Sequence, residues 1–460
     1  MSHSSSPATA SAGQTATLSI VAFATMLALV VFTVPLTTLA DITRSLSAGP
    51  NAQAWILSGM PVGAAVGLLG FGALGDNYGR RRIFLSGLLI TAGSSLVAAL
   101  APTSILLIVA RIVQGIGSAA IMACGLGLIG QVFAESLARA RAAAIWASAL
   151  GAGVAVGPVL AALLLPVGGW HASHWLIAAI SAGLYLMARG VLPQDSGQTR
   201  GSVDGAGSLV MAAAILCFLA ALTESRFGLQ PHVLALFAGS AVLVVAFILV
   251  EGRSANPVLR LSLFRRPDFV GATAGAFASG AGVLAIMTMI PLIMEQGFGI
   301  SPFRAAVILM AWSATTAVAA LGARLIPEDI SPRMLLVTGM VGCAAGQAAT
   351  LLATPERGFA WVLPGLLIAG IANGILNAAL GHQAVQSVPA ERTAMGSAAN
   401  NTARYLGSAV GISLATIIIT HGAESGVAGL LSGWRIAVLV SVGFSIAGAA
   451  IAAVMRPLNL

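Results

Sequence analysis

The sequence predicts an all-α polytopic membrane protein with fourteen transmembrane helices, and three observations lead there. Hydrophobic residues fill 58% of the 460 positions and charged residues only 8%, against about 25% charged in an average soluble domain; mean hydropathy is +0.96. The apolar residues run in long continuous stretches rather than short alternating segments, which excludes a closed barrel and leaves helices to satisfy the backbone in lipid. The basic residues, all arginine, fall unevenly between alternate loops. Such a chain lacks the polar surface of a soluble enzyme, a nucleic-acid binder or a disordered scaffold.

Residues 1–14, MSHSSSPATASAGQ, are polar and small and are read as a disordered cytoplasmic N-terminus. No Lys or Arg precedes the first apolar run and no convincing cleavage site closes it, so a retained helix is expected rather than a signal peptide. Apolar runs fall at 17–40, 53–73, 84–101, 104–130, 143–165 and 173–191. Two more follow at 206–223 and 232–250, and six at 269–293, 303–326, 334–354, 359–380, 396–420 and 436–455. A crossing takes about 20 residues. The division is thus an N-terminal six-helix bundle (15–191), two extra helices with linkers (192–268) and a C-terminal six-helix bundle (269–460).

With the N-terminus in the cytoplasm, fifteen arginines fall in inner loops and five in outer ones, while Arg111 and Arg404 lie within runs. That bias places both termini inside, and makes the net charge of +8 a topology signal rather than a nucleic-acid footprint. Cys124, Cys217 and Cys343 sit far apart in apolar stretches and offer no disulfide or metal spacing.

The turn after the second run reads G-A-L-G-D-N-Y-G-R-R-R, Gly72 to Arg82. Glycines suit a tight turn, Asp76 suits a facing helix N-terminus, and Arg80, Arg81 and Arg82 anchor the inner face. The fourth run carries R-I-V-Q-G, with Arg111 and Gln114; an arginine inside a span is costly unless it faces a polar cavity. The fifth run carries G-A-G-V-A-V-G-P, in which Gly153 and Gly157 form a close-contact face and Pro158 bends the helix.

These three motifs resemble those of the major facilitator superfamily, and the count of fourteen resembles its fourteen-spanner drug:proton antiporter family. The segments Glu251–Phe269 and Val388–Gly407 are similar to that family as well, and Gly72–Gly87 is echoed at Gly322–Gly339. The resemblance implies two six-helix bundles about a central cavity, with two peripheral helices bridging them. It implies that Gly72, Asp76, Gly79, Arg80, Arg81 and Arg82 latch the halves, and that Gly153, Gly157 and Pro158 are an antiporter motif, although Ala161 and Ala162 replace the usual pair of glycines.

The pattern breaks in the first run. Members usually carry an acid there in a run like L-D-x-T-x-V-N-V-A-L-P; setting Ile42–Leu46 against the residues that follow puts Val31 at the acidic place, Thr33 at the threonine and Leu36 at the asparagine. No Asp or Glu lies mid-span; Asp41 and Glu295 stand at outer ends. Glu295 joins Arg111 and Gln114 as a transport or coupling candidate, with a solvated rim acid equally open. Asn373 and Asn377, one turn apart, face a substrate cavity with Thr33 or bond between helices. Asn400, Asn401 and Arg404 are read as a contact between halves. Trp170, Trp175, His171 and His174 are read as an outer interfacial belt, with no metal site.

No G-x-x-x-x-G-K-[ST] loop is present, so proton-motive force is the expected driver and no cofactor is expected. The resemblance implies a monomeric unit in the bacterial plasma membrane that exports small amphipathic organic compounds against protons, by alternating access. Its rivals are an exporter of a dedicated metabolite or peptide, which would show a more polar lining, and a non-transporting sensor, which would carry a soluble domain.

Overall fold

The computed structural model describes residues 12–133, 135–194, 204–225, 228–254, 257–326, 330–388 and 393–455, and these residues are helical with no strand. The first bundle holds α1 (Ala12–Leu46), α2 (Pro50–Tyr78), α3 (Arg80–Ala99), α4 (Ser104–Val132) and α5 (Ser136–Val191). A hairpin of α6 (Gly205–Glu224) and α7 (Pro231–Arg253) follows. Next come α8 (Pro267–Ala278), a π-helical turn (Ser279–Leu284), α9 (Ala285–Thr288) and α10 (Ile290–Phe298), which together form one rod. The second bundle is completed by α11 (Pro302–Gly322), α12 (Pro332–Ala349), α13 (Leu363–Gln386), α14 (Thr393–Ala423) and α15 (Gly426–Val454). Five of these elements open on a proline, whose missing N–H is no loss in a first turn.

Counting the rod once, 13 described helices are long and apolar enough to cross a membrane, against fourteen runs in the sequence. The difference lies in α5, which contains both the 143–165 and the 173–191 runs. Its backbone leaves the helical region at Gly168 (φ −157°, ψ 29°) and Gly169 (φ 61°, ψ −161°), the second open to glycine at little cost. The middle of α5 lies at the far end of α1, where Trp170 N–H donates to Asp41 Oδ2 (3.0 Å) and Trp170 Nε1–H to Ser45 Oγ (2.7 Å). Both its ends lie at the near end: Arg139 donates to Phe133 O, and Arg81 to Arg189 O. The element therefore doubles back on itself.

Two boundaries differ from the sequence reading. Residues 12–14 belong to α1, and Gln14 donates to Val132 O (3.0 Å). The second bundle starts at Pro267, and the linker before it holds a 3-10 turn, Leu261–Arg265. Residues 1–11, Arg200, Arg226, Arg392, Arg456 and the side chain of Arg324 lie outside the described residues.

The halves meet along two helix pairs, α2 with α14 and α5 with α11. Residues Val30 to Val34 of α1 are all 2% exposed or less, so the seam is closed at mid-depth where the sequence reading put a cavity. The α6–α7 hairpin rides on the outside of the α2–α14 seam. Asn51 and Trp55 of α2 donate to Glu224 of α6, and Thr223 Oγ1 lies 3.4 Å from Ser413 Oγ of α14. One hydrophobic core runs through both bundles; a second, smaller cluster sits at the Asp76 end.

Candidate functional site

The polar centre of the first bundle begins with a proline. Pro35 lies inside α1; it has no N–H, so the carbonyl four residues earlier, that of Val31, loses its helical partner. Arg111 of α4 supplies the replacement. Its Nη1–H donates to Val31 O, its Nη2–H to Phe32 O (3.3 Å) and its Nε–H to Ile56 O (3.3 Å), joining α1, α2 and α4. Nη1 also donates to Gln114 Oε1 (3.0 Å). Gln114 Nε2–H passes the chain on to Ser95 Oγ of α3 (2.9 Å) and lies 3.4 Å from His174 Nδ1 in the returning limb of α5. Arg111, Gln114, Ser95 and His174 are all fully buried. The guanidinium is thus held by neutral acceptors at the position where an acid was expected on α1.

His174, read from the sequence as part of an outer belt, is instead a buried member of this network. Trp170 is 1% exposed and stacks on His171, so of the expected belt only Trp175, at 47%, stays on the surface. The signal was faint, since aromatic and histidine residues at a helix end fit an interfacial belt equally well.

Beside this network runs a glycine seam. Gly153 lies against the Met26 carbonyl of α1, and Gly157 against Val30 and the Thr33 hydroxyl, with no room for a Cβ at either place. Thr33 donates to Leu29 O of its own helix (2.9 Å) and lies in this seam. Pro158 follows Gly157 directly. The second bundle repeats the seam at a place sequence reasoning passed over: Gly407 and Gly411 of α14 press on the Phe277 and Ala281 carbonyls of the α8 rod. The spacing G-x-x-x-G was visible there too.

At the near end, α2 stops at Tyr78 and Gly79 (φ 105°) turns the chain into α3. Asp76 Oδ1 accepts from Arg80 Nε (2.9 Å) and Nη2 (2.7 Å), and Arg80 Nη1 reaches Gly127 O of α4 (2.8 Å). That clasp lies within the first half. The contact to the second half comes from Gly72, which faces Ala398 of α14. Arg81 and Arg82 line an open pocket of about 370 Å³ with Leu85, Tyr185 and Gln194.

Among the described residues, the second half shows no matching cation network. Asn373 donates weakly to Thr316 Oγ1 (3.5 Å), and its Oδ1, like that of Asn377, is buried with no partner among the described residues. Glu295 of α10 likewise has a buried, unpartnered Oε1. Asn400 donates to Ala272 O (3.1 Å) of its own half, and Asn401 to Ser397 O. The contact between halves in that cluster is made instead by Tyr405, whose hydroxyl donates to Met122 Sδ (3.2 Å).

A sequence profile of the Major Facilitator Superfamily matches residues 21–412. The chain is 29% identical over 371 residues to the multidrug efflux pump LfrA of Mycolicibacterium smegmatis, covering 80% of this chain and 74% of that one. It is 26% identical to the multidrug resistance protein Stp of Mycobacterium tuberculosis (82% and 70% covered) and 27% identical to the methylenomycin A resistance protein of Bacillus subtilis (86% of each). The crystal structure of the human organic anion transporter MFSD10 (TETRAN) shares the fold, with a TM-score of 0.66 at 17% identity over 95% of this chain and 99% of that one. Helix pairing, paired glycine seams and profile agree: this multi-pass membrane protein is a transporter and not an enzyme, and it belongs to the Major Facilitator Superfamily.

Proposed function

We propose that this transporter exports amphipathic organic compounds in exchange for protons, by rocking its two halves about the closed seam. The single observation that carries the reading is the packing of Gly153 and Gly157 of α5, directly before Pro158, against α1, which builds the antiporter motif into a joint with no slack. The names of the relatives support export of drugs and antibiotics. In this reading the chain crosses a bacterial plasma membrane fourteen times as a monomer, α5 supplying two crossings, with both termini and the Asp76 turn in the cytoplasm. The Gly72–Arg82 turn closes the inner side. Glu295, with its unpartnered oxygen at the opposite end, carries the proton, and Arg111 with Gln114 fixes α1 while the halves move.

The preferred substrates are neutral or weakly acidic amphiphiles. Arg111 is held by neutral acceptors alone, and Arg404 makes no hydrogen bond or ion pair among the described residues. A dication would shed water beside uncompensated positive charge, which costs several kcal/mol per unpaired ion, whereas an apolar surface gains about 25 cal/mol per Å² buried. Proteoliposomes with an imposed proton gradient test this. Wild type should move a neutral hydrophobic antibiotic well, a monocationic dye less and a dicationic biocide least, and Glu295→Gln should lose gradient dependence. Robust dication export by Glu295→Gln would overturn both assignments.

A further inference from the structure

The Asp76 end of the α6–α7 hairpin holds two carboxylates to which no role has been given above. Asp204 caps α6: its Oδ1 accepts from Gly207 N–H (2.7 Å). Glu251 stands in the last turn of α7 and is only 4% exposed; its Oε1 accepts from Val258 N–H (3.2 Å) in the linker that leads to the second bundle. The two side chains are neighbours. The point where a Cβ on Gly207 would sit is 2.6 Å from Glu251 Oε1 and 3.0 Å from Asp204 Oδ2. Backbone N–H groups engage both carboxylates, that of Gly207 at Asp204 and those of Val258 and Leu259 at Glu251, and each carboxylate has one oxygen, Asp204 Oδ2 and Glu251 Oε2, buried with no hydrogen-bond partner among the described residues.

Two adjacent carboxylates, Glu251 buried and Asp204 half-buried, with one buried and orphaned oxygen each, are short of a single hydrogen. We infer that Asp204 and Glu251 bind one proton between them and that this proton clasps the linker onto the seam between the halves. The proton sits on Glu251 Oε2 and is donated to Asp204 Oδ2, so that one hydrogen satisfies both orphans. The helix ends fix that order. Asp204 lies at the N-terminus of α6, where negative charge is favoured, and Glu251 at the C-terminus of α7, where it is not. With both groups ionised, like charges would stand side by side out of water, which is unfavourable.

A metal ion is the poorer occupant. Among the described residues no group of three or more His, Cys, Asp or Glu stands together, and a calcium ion takes six to eight oxygens. The arginines of this end do not neutralise the pair: Arg253, Arg260 and Arg265 are exposed, and neither they nor Arg266 forms an ion pair with Asp204 or Glu251. Asp76 is engaged by Arg80.

The clasp matters because of what the linker touches. Val258, Leu259 and Leu263 belong to the smaller hydrophobic cluster, together with Leu69 of α2, Phe247 of α7 and Ala398 of α14. That cluster lies on the α2–α14 seam, one turn from Gly72. Loss of the proton leaves two facing anions, frees Val258 and loosens the cluster. Proton occupancy at this site therefore sets how firmly the near end of the seam is closed.

The inference does not rest on the export reading, because its test uses neither substrate nor gradient. Full-length protein in lipid nanodiscs is followed by hydrogen–deuterium exchange of residues 257–269 between pH 6 and 9, corrected for intrinsic rates. If opening requires loss of one proton, wild-type exchange should rise about tenfold per pH unit up to the titration point of the clasp and level off above it. Glu251→Gln should abolish the slope, since the amide donates permanently to Asp204. Asp204→Asn should do the same, keeping the cap to Gly207 while donating to Glu251. Infrared difference spectra at neutral pH, wild type minus each variant, should show one protonated-carboxyl band, distinct from any band of Glu295 that all three proteins share. A flat wild-type profile, an unchanged slope in either variant, or the absence of that difference band would overturn the proposal, as would a calcium-dependent profile in place of the pH-dependent one.

Discussion

Gly153 and Gly157 press α5 onto α1, and Gly407 and Gly411 press α14 onto the α8 rod, yet the two joints are finished differently. Facing the first, α1 keeps its helical course around Pro35, and the carbonyl that the proline frees is taken by Arg111. Facing the second, the rod relaxes into a π-helical turn at Ser279–Leu284, and the hydroxyls of Ser279 and Ser408 have no partner among the described residues. A charged rivet through three helices makes the first joint stiff. A π turn, of a kind that collects at functional sites, leaves the second able to change register. The lesson is that an internal repeat conserves the contact and not the device that holds it, so the two halves need not share the work of rocking equally.

The largest expected effect falls on the rivet. Arg111→Ala should abolish transport and lower the melting temperature in detergent, because each buried polar group left unpaired costs about 1–3 kcal/mol. Arg111→Lys should remain mostly inactive, since an ammonium cannot span carbonyls on three sides. The proline sharpens the point. Pro35→Ala returns an N–H to Val31 O, so the double variant Pro35→Ala/Arg111→Ala should melt above Arg111→Ala alone, with a coupling of about 0.5–3 kcal/mol. Strict additivity would mean that the Val31 carbonyl is not the shared element.

The first joint was half legible in the sequence. Long apolar runs and arginine placement gave the helices, and R-I-V-Q-G marked Arg111 and Gln114, because an arginine in a span demands partners. Which partners was not legible: His174 enters from 60 positions away, and the acceptors are backbone carbonyls, which every residue has. The turn at Gly168–Gly169 was legible as a gap between runs, although the helix continues on both sides of it. Gly407 and Gly411 carried the same spacing as Gly153 and Gly157 but lay inside a segment dominated by its amides. The π turn had no signal at all, since S-G-A-G-V-L is ordinary helix composition. Nor did the Asp204–Glu251 pair, whose neighbours meet only once the hairpin closes.

Adding one methyl group to each seam should separate the joints next. Gly157→Ala collides with the Thr33 hydroxyl, a side chain, whereas Gly411→Ala collides with the Ala281 carbonyl, which is backbone. Both should lose transport, with overpacking costs of about 1–3 kcal/mol. Thr33→Ala should restore much of the first. Removing a neighbouring side chain, as in Ser408→Ala, should restore none of the second. Equal rescue in both, measured as dye efflux at matched membrane abundance, would contradict the backbone contact at Gly411.

A smaller thermodynamic effect is expected at the Asp76 turn, with a large functional one. Asp76→Asn removes the charge that aims Arg80 at Gly127 O, but the pair is partly exposed and such pairs contribute about 0–1 kcal/mol. Membrane abundance and melting temperature should stay near wild type while efflux is lost. Normal efflux would show that Gly72 against Ala398 closes this end without the clasp.

The smallest effect should come from the amides of the second half, and it compares directly with the first. Gln114 and Asn373 are both buried amides, on α4 and on α13. Gln114 accepts from Arg111 and donates to Ser95, so Gln114→Leu strips two partners at once and leaves the guanidinium short of an acceptor. Asn373 has one long bond, 3.5 Å to Thr316 Oγ1, and an orphaned Oδ1. Thr316 loses nothing if that bond goes, because its hydroxyl still donates to Trp312 O at 2.9 Å. Asn373→Leu removes an unsatisfied buried acceptor at similar volume, a change that is near neutral or stabilising. The expected shift is thus within about 1 kcal/mol, against at least about 2 kcal/mol for Gln114→Leu. Transport separates the two readings of Asn373: an unchanged KM assigns it to helix contact, and a raised KM for substrates that carry a hydrogen-bonding group assigns it to the substrate path. A loss of stability equal to that of Gln114→Leu would mean that the second half hides a polar network as tight as the first, and the asymmetry between the joints would fall.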